Sequence, residues 1–553
     1  MFYLQNRSPF ESFKYFLLML GLLLFGWAGN FFRMSVIPGV DLVFGSIALL
    51  LILYFYGIFW GTCATIIAGI HIIILWQQPY MLAIFAFETL FVGALLRRKT
   101  NNLLLLDSFF WILVGIPLGW LIYYYILKLD YSLVMMITLK LTINGIFNAL
   151  IASLMINFQP LRSVFEEKTN TSLSFYNTIF NMLVAFVLVP SLLLMYIQSR
   201  NEFRNVESNI KAIIRYQSSQ IASQLISYEQ EHRLTIAKLA AFAAKAEMKP
   251  SAELQRYTEE IRSLFPDLMR LHIDNANGTS IAFSPKTDEN GKSSIGLNFA
   301  DRDYYKAMKA SKQPYLSDVF MGRVGKPMPI VTDGFPVLLQ NKFSGYVIAN
   351  VKLEYIQGLL QKATYGDGIT YASLLDRKGT VIASTWNNMN NMQDFKSARA
   401  GEKRFVQSDI YQWMPATDKN KPDFTSWQNS FYVTERKLSA SLPWTLVLEA
   451  PVRPFLDALI ETQIEYMSIL LGLLLITLSL SAILSRRLTR PLSQLAGLTT
   501  NLPDKLYNQQ DISWPVSQIT EMDSLIINFK GMSNILLHNF SGICSLSMIS
   551  CKY

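Results

Sequence analysis

The chain has 553 residues, of which 51% are hydrophobic and only 16% charged, with a formal net charge of +9. Its apolar residues crowd the first two hundred positions and one late run, which excludes a single water-soluble body. Lys and Arg sit in short clusters at the ends of apolar runs, a topology signal that argues against a nucleic-acid partner, and none of the three cysteines lies in the polar middle of the chain, so that region has neither disulfides nor thiolate chemistry.

Seven apolar runs come first, near Phe16–Phe32, Leu42–Tyr56, Ile58–Leu75, Met81–Leu96, Leu103–Leu127, Leu133–Asn157 and Tyr176–Ile197. A span needs roughly twenty such residues to cross ~30 Å of hydrocarbon. The junction at Tyr56-Gly57 is the least distinct of the boundaries. More spans follow the first run where a secretory signal would have a cleavage site, so no cleavable signal is read there. If Arg7 and Lys14 are cytoplasmic, parity puts Arg97-Arg98-Lys99, and Arg162 with Lys168, on the same side. The central segment then falls outside, as the distribution of positive charge requires. Residues 1–198 thus read as a seven-span α-helical module.

In the sixth run Lys140, Asn144 and Asn148 share one helix face, with Lys140 about 13 Å from the outer end at Tyr131. A mid-bilayer ammonium needs a partner. Glu88 in the fourth run is the best candidate, and Asn177 with Asn181 make a second polar face. Two readings stay open: interhelical hydrogen bonding with a snorkelling lysine, or an intramembrane ligand or ion site. His71, alone on an apolar span, reads as a packed polar residue rather than a metal ligand.

Residues 199–462 have ordinary polarity and open with a helical pattern through Ile210, Ile214, Ile221 and Leu225, a stalk over 199–245. Two segments, His272–Thr279 and Leu374–Thr380, read as strand, tight turn, strand. Their spacing of about a hundred residues predicts two similar α/β subdomains in tandem. The runs Asp301-Arg302-Asp303-Tyr304-Tyr305, Tyr315-Leu316-Ser317-Asp318-Val319-Phe320 and Gly322-Arg323 resemble the membrane-distal half of a double-Cache sensor domain. Leu375–Ala383 resembles its membrane-proximal half. The resemblance implies PAS-like antiparallel sheets, with a small ligand held in the distal one.

The residue chemistry points the same way: Arg302 offers a planar fork for a carboxylate, and Tyr304, Tyr305 and Tyr315 offer aromatic walls with polar tips. Asp318 belongs to the same motif. In the amino-acid-binding branch of the family, a Trp stands where this chain has Tyr304 and an Asp where it has Asn350. The resemblance therefore implies a carboxylate without an ammonium, with amines and purely structural sites open. A plainer reading makes Asp301–Asp303 a helix cap with local ion pairs and the tyrosines core.

An eighth apolar run, near Met467–Leu484, marks a return span over 463–485. Over 486–540, two short heptad patterns follow, the second through Met522, Leu525, Phe529, Met532 and Leu536, which predicts a parallel homodimer. They resemble a HAMP relay with Pro491 as its marker proline and Glu521 as its second-helix glutamate. The stretch Gly39–Ala48 resembles multi-span modules that precede Cache domains in bacterial signalling proteins. Helical periodicity stops at Phe540, and residues 541–553 read as an aberrant tail, from read-through or truncation. No kinase, cyclase or chemoreceptor output motif is present, and His538 sits in no phospho-acceptor motif.

The expected protein is a multi-pass protein of a bacterial inner (plasma) membrane with a periplasmic or extracellular sensor domain. It would be the input half of a sensor histidine kinase, in contact with a small-molecule ligand and the lipid bilayer, with no cofactor and no metal. The input half of a cyclic-di-GMP cyclase or chemoreceptor, or a solute transporter, are the alternatives. No catalytic residue stands out in the chain itself.

Overall fold

The computed structural model describes residues 9–37, 40–76, 80–97, 102–165, 174–265, 267–364, 370–398, 401–415, 427–500, 502 and 513–550. Arg7, Gly39, Arg98, Lys99, Lys168 and Cys551, and the side chains of His71, His538 and Cys544, lie outside the described residues. The chain divides into two units, Met1–Asn201 with Leu459–Tyr553, and Glu202–Ala458.

The first unit is helical. Among the described residues, five helices are long and apolar enough to cross a membrane: Phe13–Phe31, Leu103–Ile126, Tyr131–Asn157, Phe175–Lys245 and Arg453–Thr499. Gly45–Tyr56, Ile58–Ile70 and Tyr80–Leu96 are apolar but shorter. The boundary at Gly57 is sharp because that residue adopts a φ of 85°, a left-handed geometry that ends one helix before Ile58 begins the next. Phe186, Leu194, Ile469 and Ile476 face outward, a surface that suits hydrocarbon and not water.

Leu42, expected to open a helical span, belongs instead to a strand. Met34–Ile37 (β1) pairs antiparallel with Val40–Leu42 (β2), and the helix starts only at Gly45. The β-branched Val36, Ile37 and Val40 fit a strand better than a helix end. Just past the hairpin, the Val43 carbonyl is satisfied by side chains rather than by a helix ladder, accepting from Nδ2 of both Asn144 and Asn148 at 2.9 Å. The helix Leu103–Ile126 contains π-helical turns at Trp111–Gly115 and Leu121–Ile126. They flank Pro117, which has no N–H to give the helix ladder.

The second unit begins within the 71-residue helix Phe175–Lys245, which buries Ile210, Ile214, Ile221 and Leu225 along one stripe. Two antiparallel sheets follow. The first contains Leu268–Asn275 (β3), Ser280–Ser284 (β4), Tyr315–Leu316 (β5), Phe320–Met321 (β6), Pro329–Leu339 (β7) and Lys342–Val351 (β8), in the order β4-β3-β8-β7-β5 with β6 on β7. The second contains Tyr371–Leu375 (β9), Val381–Ser384 (β10), Gly401–Phe405 (β11), Ile410–Pro415 (β12), Phe431–Lys437 (β13) and Thr445–Pro451 (β14), in the order β10-β9-β14-β13-β12-β11.

Both expected hairpins form, and by the same local chemistry. The Asn275 Oδ1 accepts the backbone N–H groups of Asn277 and Thr279, and the Asp376 Oδ1 accepts those of Lys378 and Thr380. Gly278 and Gly379 complete the turns at φ of 80° and 85°. Phe283, Tyr304, Met308 and Tyr346 fill the first core, and Val381, Trp413, Val433 and Val447 the second.

At the C-terminal end the eighth apolar run is not a separate element. One helix, Arg453–Thr499, carries it through Pro491 without a break. A last helix, Thr520–Ser550, has Glu521 in its first turn and continues past Phe540, where the sequence pattern was expected to dissolve. Ser541 to Ser550 contain no proline, and a single Gly542 costs a helix only ~1 kcal/mol.

Candidate functional site

In the first sheet, β3 reads Arg270, Leu271, His272, Ile273, Asp274, with polar side chains at every second position. Because successive residues on a strand point to opposite faces, Arg270 and His272 share one face. Asn350 on β8 stands directly across from Arg270, and Thr332 on β7 directly across from Asn350. The Thr332 hydroxyl donates to the Asn350 Oδ1 at 2.8 Å, which fixes that amide. Arg302 stands at the N-cap position of the helix Asp303–Ser311 with its side chain free of the helix end, and Tyr304 projects from the first turn.

These elements enclose a cleft lined by Arg270, His272, Phe299, Arg302, Tyr304, Phe320, Arg323 and Asn350, with Gly322, Val324 and Ile330. It measures about 300 Å³ with its open mouth.

Three guanidinium groups converge here, and two are already neutralised. Arg270, only 3% exposed, meets Glu289 at 2.8 Å. Arg323 grips Asp301 with two bonds of 2.9 Å, donates to the Asn298 carbonyl and lies over the Phe299 ring at 5.0 Å. Burial would raise the Asp301 carboxyl, but the hydrogen bond and charge of Arg323 outweigh it and hold the group below the usual range. Arg302 stacks over Phe320 at 5.2 Å and makes no ion pair among the described residues. His272 is stacked on Phe283 with centroids 4.7 Å apart, and its Nδ1 is 2.9 Å from Asp274. Burial raises the Asp274 carboxyl, and His272 opposes the shift. Burial, then the Asp274 charge, also pushes the Tyr304 hydroxyl upward, so it is a neutral donor at the cleft wall.

Of the residues singled out by sequence, Arg302, Tyr304 and Asn350 line the cleft and Tyr305, Tyr315 and Asp318 do not. Neighbours on a helix point about 100° apart, so Tyr304 and Tyr305 face different ways. The Tyr305 hydroxyl donates to the Ala276 carbonyl at 3.0 Å and accepts from Lys309 at 2.9 Å. Tyr315 lies under the Arg377 guanidinium at 5.3 Å. Asp318 is held by Arg377 and Lys378 at 3.2 and 3.4 Å, and the neighbouring Val319 N–H donates to the Asp376 Oδ2 at 3.3 Å. The loop joining β5 to β6 is therefore clasped by the β9–β10 turn, two residues from Phe320 in the cleft. Sequence reasoning did not assign Arg270, His272 and Arg323 to the site. The alternating polar positions of β3, a strand otherwise buried, were the signal for the first two.

A second polar cluster ties this sheet to the long helix. His232 Nε2 lies 2.9 Å from Asp267, and the Tyr228 hydroxyl donates to the same carboxylate at 2.5 Å. Glu229 pairs with Arg233 at 3.0 Å and accepts from Ser441 at 3.3 Å. Asp333 on β7 faces this group at 5% exposure. Burial pushes its carboxyl up to about 7, with Arg233 and His232 pulling it down and Glu229 pushing it up.

In the helical unit, Lys140 is acted on by Asp41, which also binds Arg33 at 3.0 Å and Ser35 at 2.5 Å. Lys140, Asn144 and Asn148 therefore face the β2 end of the hairpin. Glu88, expected to pair with Lys140, instead accepts the Trp111 indole N–H at 3.0 Å. Asn177 reaches Asn102 at 3.2 Å.

Residues 202–459 match the sequence profile of the Cache domain. Among solved structures the chain is similar to the ligand-binding domain of the Pseudomonas fluorescens chemoreceptor CtaA in complex with L-alanine, at 17% identity over 43% of this chain and 96% of that one, TM-score 0.35. It is similar to the V. cholerae histidine kinase DctB sensor domain at 16% identity over 44% and 98%, TM-score 0.33. A third, the extracellular ligand binding receptor from Desulfohalobium retbaense DSM5692, has 15% identity over 42% of this chain, TM-score 0.33, and is spanned over only 39% of its own length. No curated protein sequence matches the chain.

Proposed function

We propose that the chain is a membrane-bound signal transducer whose Cache domain takes a small carboxylate in the distal cleft, an input module of the kind that precedes a histidine kinase output. One observation carries this reading: Arg302 presents a guanidinium without an ion pair among the described residues, beside Tyr304 and Asn350, while Arg270 and Arg323 are each matched by a carboxylate. A bidentate guanidinium–carboxylate pair is a strong, directional contact in such a setting. Asn350 carries no charge to meet an ammonium, which favours a carboxylate over an amino acid.

In this reading seven early crossings leave residues 199–462 on the extracytoplasmic side and the helix Arg453–Thr499 returns the chain to the cytoplasm, where 486–540 act as a HAMP-like relay around Pro491 and Glu521. The continuity of that helix through Pro491 supports a mechanical route. So does the exposure of Leu525, Met532 and Leu536, a seam that a second copy of the chain would cover. Ligand closing on Arg302 and Phe320 would displace the β5–β6 loop, and through Asp318 and Asp376 the second sheet. Signalling requires unequal affinity for the two states.

The test is a thermal-shift screen of carboxylates, amines and amino acids against the soluble segment 202–458 and its Arg302→Ala variant. A carboxylate that stabilises the first and not the second is expected. A stabilising compound indifferent to Arg302→Ala overturns the assignment.

A further inference from the structure

Glu88 and Asp107 lie in the interior of the helical unit, 3% and 0% exposed, on the helices Tyr80–Leu96 and Leu103–Ile126. Each is the other's electrostatic partner. The Trp111 indole N–H is directed at Glu88, whereas among the described residues no N–H or O–H donor reaches either Asp107 oxygen, and the Asp107 side chain interacts with the Glu88 carboxyl. The surroundings are shaped for this arrangement. A Cβ at position 145 would overlap the Trp111 ring, so Gly145 on the facing helix makes room for the donor. Three polar groups on these or neighbouring helices have other partners. Thr65 on the helix Ile58–Trp76 bonds Thr89 at 2.9 Å, Tyr123 donates to the Met81 sulfur at 2.6 Å, and Lys140 on Tyr131–Asn157 is acted on by Asp41.

Two adjacent carboxylates removed from water, one of them without a hydrogen-bond donor, are unfavourable unless a positive charge is shared between them. The indole fixes Glu88 as an acceptor, which leaves the bare Asp107 oxygens to hold that charge. We propose that Glu88 and Asp107 form a cation site inside the membrane module that takes one small monovalent cation, H⁺ or Na⁺, between the two carboxyl groups. Mg²⁺ and Ca²⁺ fit poorly because they need six or more oxygen ligands, and among the described residues no group of three acidic, His or Cys side chains that could hold a metal comes together.

The experiment uses the full chain in lipid nanodiscs and has two readouts. One is the infrared carboxylic-acid C=O band followed through a pH titration. The other is the melting midpoint in Na⁺ against K⁺ at equal ionic strength and pH. A protonated-carboxyl band that titrates in the wild type and is lost in Asp107→Asn identifies the occupant as H⁺. A Na⁺-specific rise in midpoint, lost in the same variant, identifies it as Na⁺. A wild-type protein with neither signal overturns the proposal, whether or not the variant folds, as does a signal that survives both Asp107→Asn and Glu88→Gln.

Discussion

Replacing Asp333 by Asn should make the stability of segment 202–458 less sensitive to pH. Asp333 is 5% exposed, and burial raises its carboxyl from 3.8 to about 7 in the folded chain. Between those values the folded state binds a proton that the unfolded state has released. The stabilisation is therefore complete below pH ~4 and is lost as pH rises through about 7. Three units at ~1.4 kcal/mol each bring the loss to on the order of 4 kcal/mol, or about 10 °C in melting temperature for a domain of this size. Asn keeps the shape and cannot ionise. Calorimetric melts of segment 202–458 should show the two proteins close together near pH 4, with the variant about 10 °C more stable by pH 8. Parallel profiles across that range would refute the reasoning, because they would mean that Asp333 is ionised at little cost. The charges of Glu229, His232 and Arg233 on the long helix act on this buried carboxyl, so its ionisation state is coupled to that helix.

Other consequences can be measured on the same segment. Arg302→Ala should weaken carboxylate binding by roughly 10- to 100-fold, the loss of a charge-assisted pair, while Tyr305→Phe should leave it unchanged; isothermal titration separates the two. Asp376→Ala should cost about 2 kcal/mol in urea melts, since it strips acceptors from the N–H groups of Val319, Lys378 and Thr380. The two analogous turn glycines should differ. Gly379→Ala meets nothing within 4 Å and incurs only backbone strain, ~1 kcal/mol, whereas Gly278→Ala also drives a Cβ to 2.7 Å from the Ala300 nitrogen and should lose clearly more, by the same melts.

Local features were legible because local chemistry makes them. Both hairpins depend on an Asn or Asp side chain accepting the N–H groups that follow it and on a glycine at positive φ, all within one short stretch of sequence. The apolar runs and the stripe on the helix Tyr131–Asn157 follow from the helical period alone. What period could not supply was the partner of each polar residue. Lys140 and Glu88 are equally plausible as a pair when helices are cylinders without orientation. In the folded chain, the charge of Asp41 on the β1–β2 hairpin acts on the first, and Trp111, at a π-helical turn, donates to the second.

The cleft shows the same division. The motif at Asp301–Tyr305 marked the right helix, and the identities of Arg302 and Tyr304 followed from it. That Tyr305 and Tyr315 turn away, that Asp318 serves the second sheet, and that Arg270 and Arg323 arrive already matched by Glu289 and Asp301 depend on strand register and helix rotation. Sequence alone determined which residues carry charge and where the Asn275–Gly278 and Asp376–Gly379 turns fall. Only the tertiary structure decided which charges are satisfied, because satisfaction is a property of pairs, and the pairs that neutralise Arg270, Arg323 and Asp318 join residues 19, 22 and 59 positions apart.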